Sequence, residues 1–277
     1  MLDRSIGARL ESDGPGALFE DARLAELLSA ADVALANLEN PISIRGAPAD
    51  KSYTFRAPPV AAEALALAGF DGVALANNHA LDYGPAAIFE TAALLTAQGV
   101  RSAGAGTNSE KAIAPFFLER NGFRIAVVSL VDAPPEGTFN RRNWEALPDR
   151  PGVAWADTET VTRAVTQAAA DADIVIAMLH FGNEYAISPV ASQRTLARSA
   201  IDAGALLVVG SHPHVLQEVE EYGNGLIAYS LGNFVFDGFE GEANNTAILQ
   251  VTLSPDRIFE WRLAPATIDW TGRPQLD

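Results

Sequence analysis

Cysteine is absent from this 277-residue chain. No disulfide can form, no thiolate can hold zinc or an iron–sulfur cluster, and the redox compartment stays open. Long apolar runs are also missing: none approaches the roughly 20 residues that span a bilayer. The opening stretch MLDRSIGARLESDG lacks the apolar core of a secretory signal. Positive charge is scarce, with 19 Lys and Arg against 35 Asp and Glu, a net −16 and a pI near 4.6. A chain this acidic has no basic footprint for nucleic acid or an anionic membrane, so no nucleic-acid partner is expected. Histidine is rare too, at four residues. What is abundant is apolar: 48% of the residues, with mean hydropathy +0.09. That composition and length read as one globular domain over 1–277.

Short apolar runs alternate with longer amphipathic ones. DVALAN (32–37), DGVALAN (71–77), FRIAVVSLV (123–131), DIVIAML (173–179) and ALLVVG (205–210) read as buried strands. Residues 58–69 and 84–99 each enter through proline and end on glycine, the asymmetry of a helix. Residues 157–172 and 188–204 are also helical in pattern. This rhythm predicts an α/β fold with a largely parallel central sheet. From 215 to 270 the apolar runs follow one another with only turn residues between them, which predicts mostly antiparallel strands. Residues 132–157 read as a long irregular loop, of the kind that is usually functional or mobile.

The polar residues sort onto strand ends. Asn37, Glu39 and Asn40 follow the first strand; Asn77, Asn78, His79 and Asp82 the second. His180, Asn183 and Glu184 close another, and Ser211, His212 and His214 a fourth. Ligands of open α/β sheets bind at that carboxyl edge. Taken singly, each residue has a plain reading: a histidine that caps, asparagines that turn the chain, Glu39 on a solvated edge, Glu184 capping a helix, Asp82 in a turn. The joint pattern favours chemistry, because all four histidines occupy strand ends. Imidazole and carboxylate donors without thiolate suit Mn, Fe, Zn or Mg. If His212-Pro213-His214 runs extended, both rings share a face; if it turns, they reach neighbouring ions. Two such ions about 3.5–4 Å apart clamp a phosphorus centre and supply hydroxide.

The strings NLENPIS, FRAPP, AGFDGVALANNHALDYG, GAGTN, HFGNEY, IDAGALLVVGSHPHVLQEVE and GLIAYSLGNFVFD, in order from Met1 to about Asp237, resemble the CapA family of bacterial capsule and poly-γ-glutamate biosynthesis proteins. The resemblance implies a calcineurin-like metallophosphatase fold, a four-layer α/β/β/α sandwich with mixed sheets. It implies that Glu39, Asn78, His180, His212 and His214 hold one or two divalent ions. His79, oriented by Asp82, would be the general acid of a hydrolase that uses metal-bound hydroxide. Asn37, Asn77, Glu184, Asn233 and Arg56 are further candidates for touching substrate or supporting ligands, and Arg45 and Lys51 for drawing in an anion. The implied substrate is an anionic small molecule or a polymer such as poly-γ-glutamate, with capsule-synthesis subunits as partners. The alternative is a non-catalytic accessory subunit with a degenerate metal site. The chain departs from the wider superfamily at Ala80, where an acidic residue is usual and where the CapA pattern Asn-His-Ala-x-Asp offers Asp82 instead, and at Ser211, where relatives often carry histidine. Relatives also begin with a strand ending in Gly-Asp, whose aspartate is a metal ligand, and are often anchored outside the membrane by an N-terminal segment. That strand is expected to be missing here. Asp3 is not expected to replace its aspartate, so one ion is expected to bind well and the second weakly.

Overall fold

The computed structural model describes residues 1–19, 21–238 and 240–277. Helices α1 (Arg4–Asp13) and α2 (Ala22–Ser29) come first. Next, β1 (Leu35–Asn37), α3 (Val60–Leu67), β2 (Gly72–Ala74), α4 (Gly84–Ala97) and β3 (Arg101–Ala103) form a three-stranded parallel sheet with its crossover helices. The predicted strands at 32–37 and 71–77 pair over three residues each; the polar residues after them have left the ladder.

A short segment follows, with β4 (Ala105–Gly106) and α5 (Ser109–Ile113). The second sheet uses β5 (Phe116–Arg120), β6 (Phe123–Asp132), β8 (Ile174–Phe181), β9 (Leu207–Ser211), β10 (Val219–Tyr222) and β11 (Gly225–Ala228). Its order is β10-β11-β9-β8-β6-β5. The four inner strands are mutually parallel, and the edge strands β5 and β10 are antiparallel to their neighbours. Between them lie α6 (Arg141–Trp144), β7 (Gly152–Val153), α7 (Thr158–Ala169) and α8 (Ala191–Asp202). The third sheet is antiparallel: β12 (Asn245–Ser254), β13 (Arg257–Ile268) and β14 (Pro274–Leu276). The C-terminal region is thus antiparallel apart from β11, which pairs in parallel with β9.

Alternation along the buried strands explains the packing. Ala126, Val128, Leu130, Val175, Ala177 and Leu179 face α7 and α8, whose Val161, Ala164, Val165, Leu196, Ala197 and Ala200 meet them. The intervening Ile125, Val127, Ile174, Ile176 and Met178 turn the other way, toward Ala74, Ala103, Leu35, Val251 and Trp261 of the other two sheets. Val73 of β2 packs instead with Leu10, Leu24, Leu65, Ile88 and Leu95 of α1–α4. Helix α7 begins where Asp157 accepts a hydrogen bond from Thr160 N, so one of its open N–H groups is capped. Gly210 in β9 is obligatory, since a Cβ there would lie 2.1 Å from the Tyr229 carbonyl oxygen. A cavity of about 770 Å3 runs between β1, β12 and the inner face of the six-stranded sheet, past Leu35, Ile176, Met178 and Val251.

The region 132–157 differs from the irregular loop expected. Phe139, Trp144 and Trp155 are buried in it, and Phe139 stacks on Trp155 with ring centroids 5.5 Å apart. Its antiparallel pairing of β7 with β4 fixes it further. Among the described residues, no helix is long and apolar enough to cross a membrane.

Candidate metal centre

Parity and strand length carry the histidines to one place. His180 shares the inward parity of Ile176 and Met178, one residue before β8 ends, and pairs in register with Ser211. Beyond Ser211 the chain turns. His212 and His214 both have left-handed backbone, with φ of 101° and 58°, a conformation that costs a non-glycine residue about 1–3 kcal/mol. The rings meet as a result: centroids lie 4.9 Å apart for His180 and His212 and 6.1 Å apart for His212 and His214. Glu39, two residues past β1, completes the group. Its Oε1 lies 3.6 Å from His180 Nε2 and 3.8 Å from His214 Nε2.

Glu39, His180 and His212 are all buried, and one donor atom from each lies within 4.8 Å of the others. Two donors bound about 2.1 Å from one tetrahedral ion sit about 3.4 Å apart, so the separations suit a shared cation. Glu39 Oε1 and His212 Nδ1 are buried without a hydrogen-bond partner among the described residues. Orphaned atoms of this kind are costly unless something else satisfies them, and a divalent ion would. The His180 and His212 imidazoles are also in the ligating form. Burial, then the nearby His212, His214, His79 and Lys51, hold His180 well below the usual histidine range. Burial, then His214, His79 and Lys51, push His212 down to about 3. Neutral rings are what a metal requires.

The surrounding groups orient the donors. His214 Nδ1 lies 2.8 Å from Asn233 Oδ1, which turns Nε2 toward Glu39. His180 Nδ1 lies 2.9 Å from Ser211 Oγ, and its Nε2 lies 2.9 Å from Asn78 Oδ1. Asn37 donates to Glu39 Oε2 at 3.0 Å. Asn77 donates to Leu38 O and Asn37 Oδ1 and accepts from His79 N, so it braces the two strand ends from below.

His79 stands beside this group with Nδ1 2.7 Å from Asp82 Oδ2. Phe55 packs edge-on to the His79 ring at 4.7 Å and sends its N–H to the same Asp82 oxygen. Lys51 lies where sequence reasoning did not place it. Rather than meeting an anion from solvent, its wholly buried ammonium sits 3.0 Å from Asp82 Oδ1 and 3.2 Å from His79 Nδ1, and donates to Asn78 O at 2.6 Å. Trp144 and Phe139 of the 132–157 region roof it, at 5.4 and 5.9 Å from the ring centroids. The one signal for this was rarity: Lys51 is one of two lysines in the chain.

Arg56 and Arg45 do not join the cluster. The Arg56 guanidinium stacks over Tyr83 at 4.2 Å, and Arg45 pairs with Glu90 at 3.3 Å. Asp3 accepts from Arg56 N at 2.9 Å and belongs to neither group of donors that could hold an ion among the described residues.

The model of the family described as bacterial capsule synthesis protein PGA_cap matches residues 1–238. The chain belongs to the PGA_cap family. It is 32% identical over 273 residues to the PGA biosynthesis protein CapA of Bacillus subtilis, covering 97% of this chain and 69% of that protein. It is 32% identical over 261 residues to the capsule biosynthesis protein CapA of Bacillus anthracis, covering 91% and 62%. A probable polyglutamine synthesis accessory protein of Mycobacterium tuberculosis is 33% identical over 222 residues, covering 77% and 57%. The chain therefore spans 57–69% of the lengths of these relatives. A crystal structure of a hypothetical protein from Thermus thermophilus superposes with a TM-score of 0.57 at 16% identity, over 92% of this chain and 94% of that one. This likeness concerns the fold alone. Within the PGA_cap match lie all four histidines, Glu39, Asn78 and Asp82.

Proposed function

We propose that this PGA_cap-family chain is a metal-dependent hydrolase acting on an anionic phosphoester or on an amide-linked polymer such as poly-γ-glutamate. The buried, orphaned pair Glu39 Oε1 and His212 Nδ1, beside an oriented His79, carries this reading. Glu39, Asn78, His180, His212 and His214 would hold the ion. When bound, a divalent ion supplies Lewis-acid polarisation and lowers the pKa of water.

The chain's own groups do the rest. Asp82 takes the Nδ1 proton of His79 in a hydrogen bond and leaves Nε2 to exchange a proton with the leaving group. Lys51 balances the Asp82 charge, so the carboxylate orients His79 without standing unpaired in the interior. Attraction of an anion to a chain of net −16 depends on the local positive charge of bound metal.

The fold in this reading is the calcineurin-like four-layer sandwich: α1–α4, the two small sheets, the six-stranded sheet, then α7 and α8. The apolar contacts of the sheet faces support it. One further strand in the cavity between β1 and β12 would join the two small sheets into one. The partners in this reading are capsule or poly-γ-glutamate synthesis components, following the names of the Bacillus relatives. The name of the Mycobacterium relative favours a second reading, a non-catalytic accessory subunit.

The two are separated by assaying metal-loaded protein against an aryl phosphodiester and against poly-γ-glutamate. The hydrolase reading expects turnover of one of them. It expects His79→Asn to lower the rate about 10²–10⁴-fold with metal content unchanged. No turnover of either by fully loaded wild type sinks it in favour of the accessory role. Loss of metal in His79→Asn shows His79 to be a ligand instead.

A further inference from the structure

Left-handed backbone at a bulky residue persists only where its surroundings impose it. Among the described residues, the non-glycine positions with such backbone are Arg4, Asn121, Tyr185, His212 and His214. Arg4 opens α1, and Asn121 lies with Gly122 in the hairpin turn between β5 and β6, where this conformation is ordinary. His212 and His214 belong to the candidate centre, and Tyr185, with φ 60°, adjoins it. Tyr185 N donates to Pro213 O at 2.8 Å, which fastens the turn after β8 to the His212-Pro213-His214 turn. Buried amides hold the same turn from behind: Gln217 Nε2 donates to Ala186 O at 2.7 Å, and Gln193 Nε2 to Gln217 Oε1 at 2.9 Å. Gly182, with φ 95°, lets the chain pass over Gln193, where a Cβ would lie 2.4 Å from the amide carbon. The turn also carries the exposed Glu184, with a carboxylate oxygen within 4.8 Å of ring nitrogens of His212 and His214.

This scaffold presents an aromatic face beside the histidines. The Tyr185 ring lies 6.4 Å from the His214 ring, tilted by 39°. The strain at Tyr185 does not serve burial, because the residue stays 54% exposed. Burial of part of the side chain, then the nearby Glu184 and Tyr53, push the Tyr185 phenol up. Tyr53 is itself exposed, so a second aromatic residue borders the same place. We propose that Tyr185 is a specificity-determining residue that stacks on a planar group of the substrate, an aromatic ring or an amide plane, joined to the anion at the metal centre. This role rests on the metal-centre reading and names the group that stands next to the anion. Aromatic faces take planar partners in offset or edge-on contact. A chain of net −16 has little general attraction for an anion, so binding beyond the ion itself falls to contacts of this kind.

Mn2+-loaded protein is titrated by calorimetry with methylphosphonate, phenylphosphonate and carbamoylmethylphosphonate. The three share an anionic head; the second adds a ring and the third an amide plane. Wild type is expected to bind at least one planar ligand about 10-fold or more tighter than methylphosphonate, and which one tells ring from amide. Tyr185→Ala is expected to erase that preference and to bind methylphosphonate as wild type does, whereas Tyr185→Phe retains the preference. Tyr185→Gly suits the left-handed backbone. It should melt no lower than Tyr185→Ala and show the same loss, which separates contact with the ligand from folding. The proposal is overturned if Tyr185→Ala and Tyr185→Gly keep the preference, or if wild type shows none for either planar ligand. Manganese is counted in every sample, and a wild type that holds none overturns this role together with the metal-centre reading. Failure to turn over an aryl phosphodiester removes the hydrolase reading alone, while the phosphonate titrations still decide the role of Tyr185.

Discussion

Lys51 is the residue whose removal tests the interior electrostatics most sharply. The Lys51 and Asp82 side chains are both fully buried and 3.0 Å apart. Lys51→Met keeps the stem that packs under Trp144 and Phe139 but leaves the Asp82 carboxylate without its cation. Breaking a buried pair from one side costs about 3–5 kcal/mol. The same change orphans the Asn78 carbonyl, which accepts from Lys51 at 2.6 Å, and an unmet buried acceptor is worth about 1–3 kcal/mol. Part of the total is therefore specific to charge and part is not. Adding Asp82→Asn removes the stranded charge and keeps an amide oxygen for Phe55 N and His79. The double variant should recover all but the roughly 1–3 kcal/mol of the orphaned carbonyl. For a chain of this size the single variant, losing about 4–8 kcal/mol from the two terms together, should melt about 8–32 °C lower. The assay is urea unfolding and calorimetry of metal-free wild type, both single variants and the double variant. A loss below about 1 kcal/mol in Lys51→Met, or a double variant no more stable than it, refutes the reasoning.

Two further outcomes follow from the site. The metal-free protein should lose stability on acidification. His180 and His212 have depressed folded-state pKa values, His212 down to about 3. Above about pH 6.5 both are neutral in either state and their contribution is fully present. Below it the unfolded chain takes up protons that the folded chain refuses, a loss of up to about 1.4 kcal/mol per pH unit for each ring, continuing toward pH 3 for His212. Urea midpoints at pH 7.5, 6 and 5 check this, and a flat or rising trend contradicts it. Asn233→Ala removes the acceptor that fixes His214 Nδ1, so metal affinity should fall about 10–100-fold in a chelator competition; unchanged affinity contradicts the orienting role.

Much of the site was legible because strand ends are legible. Apolar runs that stop at Asn37, His180 and Ser211 mark where buried chain gives way to polar chain. The parity of a strand then sets which face His180 shares with Met178. The Lys51 arrangement was not legible, since its pocket joins Asp82 of one turn to Trp144 and Phe139, about sixty residues further on. The nearby arginines read as equivalent candidates in sequence, yet Tyr83 and Glu90 hold both away from the cluster. Among the helices, α1 escaped because its polar residues hide a short apolar face, Ile6, Gly7 and Leu10, that only α3 and its neighbours reveal. Glu184 read equally well as a helix cap. Its place beside His214 depends on Tyr185 N reaching Pro213 O, a contact that no local pattern announces.

The central claim is that Glu39, His180 and His212 form a centre for divalent metal. The most direct measurement is elemental analysis of purified protein, stripped with chelator and reloaded with Mn2+ or Zn2+ before desalting, for wild type and for His180→Ala. The account predicts at least one retained equivalent in wild type and its loss in His180→Ala, with both proteins folded by circular dichroism. Wild type that emerges without metal, or His180→Ala that retains as much as wild type, contradicts it.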